Sequence, residues 1–224
     1  MKSKDVSKKC SALLQLALDT RSLAEAVAIA KTIRNDVDIV EVGTPLIKRY
    51  GVEAIRMVRE ACPHHPLVAD MKTMDGGTYE AKLAFDHGAD ITVVMAAADP
   101  ATIHKVLDVA VKRNKRVMID LLGQGSPGPT LECVRKLDHE VILLVHSAFD
   151  RAQDVKQEQL ADDARLVARR DRHLLAVAGG ITPETLRALR GCHPDIVIVG
   201  SFLTSAPDLA AAARELREVL QGWE

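Results

Sequence analysis

The chain has 224 residues, of which 47% are apolar and only 3% aromatic, and its 30 basic and 31 acidic side chains leave a net charge of −1. That balance supplies no basic field for nucleic acid or an anionic membrane, and no apolar run reaches the roughly 20 residues of a membrane span. A core of Ala, Val, Leu and Ile suits parallel strands buried on both faces beneath alanine-rich helices, and the length suits one α/β barrel of about 250 residues.

In chain order, residues 1–12 (MKSKDVSKKCSA) lack the apolar core of a signal peptide and read as a flexible basic extension ahead of a catalytic domain spanning 13–224. From there apolar runs alternate with helical patterns. Strands are expected at Leu13–Leu18, Asp38–Val42, Leu67–Ala69, Ile91–Met95, Arg116–Ile119, Val141–Val145, Leu174–Val177 and Ile196–Val199. Helical periodicity covers Leu23–Ile33, Pro45–Ala61, Thr78–His87, Pro100–Arg113, Thr130–Leu137, Arg151–Arg170, Pro183–Arg190 and Ala210–Leu220. Pro183, after Thr182, fits a first helical position. Eight such pairs without a linker predict a single-domain (β/α)8 barrel. An open doubly wound sheet would show G-x-G-x-x-G after its first strand, where this chain has Leu16-Ala17-Leu18-Asp19. Cys10, Cys62, Cys133 and Cys192 form no C-x-x-C or Cys/His cluster, which suits reduced thiols in the cytoplasm.

A barrel builds its active site from the C-terminal ends of its strands. In order those ends carry Asp19, Glu41, Asp70 with Lys72, Met95, Asp120, His146, Gly179-Gly180 and Gly200-Ser201. The densest is VADMKTMDGG, where Asp70, Lys72 and Asp75 crowd two carboxylates and an ammonium into six residues. Side chains alternate along a strand, so Asp70 and Lys72 are expected on one face. Such a cluster is costly to desolvate unless its members pair, bind metal or do chemistry. Glu41 and Asp70, at neighbouring ends, suit a hard divalent cation such as Mg2+, which takes one or two carboxylates plus substrate oxygens and water. His146 closes an apolar strand among acidic neighbours, a place for proton transfer. The glycines after strands seven and eight leave N–H groups free to cradle a phosphate.

LQLALD (14–19), VDIVEVGTPLI (37–47), VADMKTMDGG (68–77), GADITVV (88–94), VMIDLLG (117–123), VAGGIT (177–182) and IVIVGSFLTSAPD (196–208) resemble the 3-hexulose-6-phosphate synthase family. That family groups with the 3-keto-L-gulonate-6-phosphate and orotidine 5'-monophosphate decarboxylases. The resemblance runs from Leu14 to the end of the chain and is most specific in ADMKTMD. It implies a barrel that is usually dimeric, Mg2+ on Glu41 and Asp70, and a polar cluster of Asp19, Lys72 and Asp75, with Asp75 reaching the other subunit's site. It also implies a phosphate site at Gly180, Gly200 and Ser201. After strand six the decarboxylase pattern is H-R-S-R-D, whereas this chain reads His146-Ser147-Ala148-Phe149-Asp150, as in the synthases. Asp120 likewise stands where the decarboxylases carry glutamate. GQGSPGPT, 123–130, departs from both families in its wealth of turn residues and lies on the active-site face.

The expected reaction is a reversible, Mg2+-assisted condensation of formaldehyde with ribulose 5-phosphate through an enediolate. His146 is the expected base, and Lys72 the donor to the enediolate oxygens, with Asp19 and Asp75 positioning it. The alternatives are the decarboxylase, a metal-independent sugar-phosphate epimerase that would not need Glu41, and a non-catalytic binding barrel that would have lost tip residues.

Overall fold

A computed structural model describes residues 12–124, 132, 134, 137–148, 150, 153–168 and 172–223. Eight parallel strands close into a barrel in sequence order, β8 pairing back onto β1. They are β1 (Leu13–Leu18), β2 (Ile39–Val42), β3 (Leu67–Thr73), β4 (Ile91–Met95), β5 (Arg116–Asp120), β6 (Ile142–His146), β7 (Leu174–Ala178) and β8 (Ile196–Val199). Around them run α1 (Leu23–Ile33), α2 (Thr44–Tyr50), α3 (Glu53–Ala61), α4 (Gly77–Asp86), α5 (Pro100–Lys112), α6 (Gln153–Val167), α7 (Pro183–Leu189), the short α8 (Ser201–Thr204) and α9 (Leu209–Gln221). The (β/α)8 reading is correct.

Alternation along each strand sorts the core into two. Ala17, Ile39, Val68, Val93, Met118, Leu144, Ala176 and Ile198 pack with one another inside the barrel. Leu16, Val40, Ala69, Val94, Ile119, Leu143, Val177 and Val199 belong to the larger cluster shared with the helices. The inward rows, continued upward, end on Asp19, Glu41, Asp70, Asp120 and His146, which is how an apolar interior delivers polar groups to one mouth. At the opposite end three Asp-Ile steps seal the floor. The carboxylates of Asp38, Asp90 and Asp195 accept from the amides of Leu14 (3.1 Å), Leu67 (3.1 Å) and Leu175 (2.7 Å), each on the preceding strand.

Helix starts follow capping chemistry. Ser22, Asp99, Thr182 and Asp208 each cap a helix by accepting a backbone N–H, and Pro100 and Pro183 occupy first-turn positions. Two expectations need correcting. The helix anticipated over Pro45–Ala61 is two helices, broken where Gly51 takes φ +67°. Strand β3 does not stop at Ala69; it runs on to Thr73 through a bulge, Ala69 pairing with Thr92 but Thr73 with Val94. Helix α8 was not anticipated. Residues 1–11 (with Cys10), Cys133, Phe149, most of the helix expected over Thr130–Leu137 and residues 125–130 of the glycine/proline-rich loop lie outside the described residues. Cys62 and Cys192 are buried free thiols.

Candidate active site

The site grows from the β3 bulge. There Lys72 adopts φ +45°, a left-handed conformation unusual for a residue with a side chain. The kink sends its ammonium between two strand ends, 3.0 Å from Asp70 Oδ2 and 2.9 Å from Asp120 Oδ2. Asp70 and Lys72 do meet, as expected, but through the irregularity and not through regular alternation. Burial by itself would lower the Lys72 pKa, yet Asp70 and Asp120 outweigh it and raise it, so the side chain is a firm cation at neutral pH.

Asp120 is fully buried and shared. Its Oδ2 also accepts from His146 Nδ1 at 2.9 Å, and its Oδ1 accepts from the Leu122 amide at 2.8 Å. Burial pushes its pKa up, but the hydrogen bond and charge of His146, then Lys72, more than reverse that and hold it below the usual carboxylate range. An ionised Asp120 can only accept, so Nδ1 of His146 carries a proton toward it; in the neutral form of the ring that leaves the lone pair on Nε2.

The carboxylates opposite are less comfortable. Glu41 is almost fully buried, and its Oε2 accepts from Gln15 Nε2 at 2.5 Å. Desolvation first, then the charges of Asp70 and Asp19, hold its pKa well above the usual range. Asp19 stands open at the mouth, yet the protein crowded around it and the Asp70 charge raise its carboxyl too. Asp70 is steadied by the Thr44 hydroxyl, 2.7 Å from Oδ2. Four carboxylates (Asp19, Glu41, Asp70 and Asp120) thus face one lysine and a histidine. A hard dication would neutralise that surplus of carboxylates. Among the described residues no three His, Cys, Asp or Glu side chains form a ready-made metal cage. A donor set of two carboxylates completed by substrate oxygens and water therefore fits Mg2+ and does not fit a closed structural site.

On the far side, Gly179 takes φ +102° and Gly180 φ +65°. A Cβ on Gly179 would fall 2.2 Å from the Ser147 carbonyl oxygen, so the β6 and β7 ends approach too closely for any side chain. The Thr185 hydroxyl donates to the Gly180 carbonyl at 3.0 Å, steadying the turn, and Gly200 leads into α8 at Ser201.

One chain therefore brings together Asp19, Glu41, Asp70, Lys72, Asp120 and His146, with the two glycine ends beside them. It does not bring in Asp75, which is exposed and accepts from the Gly76 amide at 2.6 Å. The partners of Lys72 are Asp70 and Asp120, where Asp19 and Asp75 were expected to position it. The sequence reasoning passed over Gln15, whose signal is a lone polar residue inside LLQLAL, and Thr44. It also passed over Gly43, where a Cβ would fall 1.9 Å from Asp19 Oδ1.

Comparison with known proteins gives this geometry its relatives. The 3-hexulose-6-phosphate synthase of Methylomonas aminofaciens is 37% identical over 205 residues, covering 92% of this chain and 97% of that protein. The crystal structure of 3-hexulose-6-phosphate synthase from Salmonella typhimurium superposes with a TM-score of 0.88 at 36% identity, over 95% of this chain and all of that one. A 3-keto-L-gulonate-6-phosphate decarboxylase from Vibrio cholerae superposes with a TM-score of 0.78 at 30% identity, over 96% and 99%. The match to the orotidine 5'-phosphate decarboxylase / HUMPS family spans residues 12–216. The chain belongs to that family and is an enzyme of the carbon–carbon lyase class.

Proposed function

We propose that this enzyme reversibly condenses formaldehyde with ribulose 5-phosphate to 3-hexulose 6-phosphate. The observation that carries the proposal is the Asp120 carboxylate shared between Lys72 and His146, a base and an electrostatic donor fixed around one anion. The sugar phosphate sits with its phosphate at Gly179, Gly180, Gly200 and Ser201, where backbone N–H groups suit an anion. Glu41 and Asp70 would hold Mg2+, which when bound supplies Lewis-acid polarisation of the substrate carbonyl. His146 Nε2 removes the C1 proton, becoming an imidazolium stabilised by Asp120. Lys72 donates to the oxygens of the resulting enediolate, whose negative charge its ammonium matches. The enediolate C1 then bonds to the carbon of formaldehyde, and the new alkoxide takes the proton back from His146. Run backwards, the same steps release formaldehyde.

The names of the relatives favour the synthase, while the decarboxylase from Vibrio cholerae keeps a second reading in view, since both reactions pass through an enediolate. We also propose a homodimer in the cytoplasm. Its support is Asp75, exposed between Met74 and Tyr79, which are themselves 51% and 70% exposed, a patch suited to carrying a carboxylate to a second copy's mouth. No helix among the described residues is long and apolar enough to cross a membrane.

The test is formaldehyde consumption by purified protein with ribulose 5-phosphate. Turnover that requires both substrates, stops with excess chelator and returns on adding Mg2+ is expected, with no unfolding on chelation. Full turnover in chelator would remove the metal from the mechanism.

A further inference from the structure

Gln15 interrupts an otherwise apolar strand, LLQLAL, and points into the barrel, where its packing neighbours in register are Ile39 and Ile198. It is fully buried, yet its carboxamide is only half satisfied. Nε2 donates to Glu41 Oε2 at 2.5 Å, whereas Oε1 is buried with no hydrogen-bond partner among the described residues. A buried acceptor without a donor is destabilising, and an apolar side chain of similar volume would fill the space without that cost. Stability therefore does not explain the amide. What it does is hold one oxygen of Glu41 with a neutral donor, fixing the carboxylate's orientation without cancelling its charge, and leave Oε1 of Glu41 for another partner. A lysine there would neutralise the ligand. A serine would be too short to reach it.

We propose that Gln15 is a positioning residue that fixes Glu41 as a one-oxygen ligand for a divalent cation. The assignment rests on the metal role given above to Glu41 and Asp70. It acts from beneath the site: Gln15 touches Glu41 and takes no part in the reacting atoms. Neutral groups that orient ligating carboxylates in this way commonly set metal affinity by ~10–100-fold.

The test uses Gln15→Met, which keeps an unbranched chain of similar length, and Gln15→Leu as a second packing solution. Mn2+ serves as the probe, titrated into metal-free protein and followed by electron paramagnetic resonance. Both variants are expected to bind Mn2+ ~10–100-fold more weakly. The Mg2+ concentration for half-maximal activity should rise by the same factor, and the thermal midpoint in chelator should be unchanged or higher. Mn2+ affinity within twofold of the parent in either folded variant would overturn the proposal and make Gln15 a packing residue. A parent protein that binds no Mn2+ would overturn it together with the metal role of Glu41. Weaker binding in the variants of a protein that proves to be a decarboxylase would support the proposal while the synthase reading fell.

Discussion

Lys72 combines the two costs most characteristic of a working residue, a left-handed backbone and a charge placed among buried groups. Positive φ on a residue with a Cβ costs on the order of 1–3 kcal/mol and persists where the surroundings enforce it, here through the ion pairs to Asp70 and Asp120. Lys72→Ala should lower kcat by ~100-fold or more, as loss of an electrostatic donor does. It should also lower stability by about 1–3 kcal/mol, because the buried Asp120 loses a charged donor. Steady-state kinetics beside denaturant unfolding checks both. A destabilised variant with full turnover per folded molecule would assign Lys72 to folding alone. The sequence showed the residue but not its posture. Asp70, Lys72 and His146 were visible as polar groups closing apolar runs. That Asp120 joins Lys72 to His146 was not, because the pairing spans 48 residues on one side and 26 on the other and depends on how β3 kinks.

Strands and helices were mostly legible because each carries its own period, and two of the misses share a cause: single-residue backbone geometry. Gly51 splits a continuous apolar stripe into α2 and α3, and the β3 bulge adds four residues to a strand whose apolar run ends at Ala69. Asp38, Asp90 and Asp195, just ahead of β2, β4 and β8, each clamp the preceding strand. Asp90 is also held by two cations, Lys115 at 2.6 Å and Arg59. Burial pushes its carboxyl up, but Lys115, Arg59 and the Leu67 amide together hold it below the usual range. A depressed folded-state value means stability that is present above the ordinary carboxylate pKa and lost as pH falls through the lowered one. Asp90→Asn should therefore cost about 1 kcal/mol at pH 7, or about 2–4 °C in thermal midpoint. The gap from the parent should close as pH drops below about 4. A gap independent of pH would mean that the clamp works by shape and not by charge. At the proposed phosphate end, Gly179→Ala drives a methyl into the Ser147 carbonyl at an unfavourable φ, so the β6 and β7 ends must part. A raised KM for the sugar phosphate and a loss of ~2 kcal/mol or more are expected from kinetics and melting. Unchanged KM would place the phosphate elsewhere.

At the scale of the molecule, an apolar barrel lined by Leu, Ile, Val and Ala carries its polar groups to one rim, and that rim holds more negative charge than its own cations balance. Such a mouth suits the dication and anionic sugar proposed above, and the enediolate chemistry proposed for it would be common to synthase and decarboxylase. Selectivity must come from the groups around the reacting carbon. In this chain Ser147 and Phe149 stand where the decarboxylase pattern has its two arginines, so neither position offers an arginine to place a protonating water. The most direct measurement is the ratio of two rates under matched conditions: condensation of formaldehyde with ribulose 5-phosphate, and decarboxylation of 3-keto-L-gulonate 6-phosphate, both with saturating Mg2+. Condensation faster by ~100-fold or more, a difference of about 2.7 kcal/mol in transition-state stabilisation, is the predicted result. Decarboxylation outrunning condensation would contradict the synthase assignment.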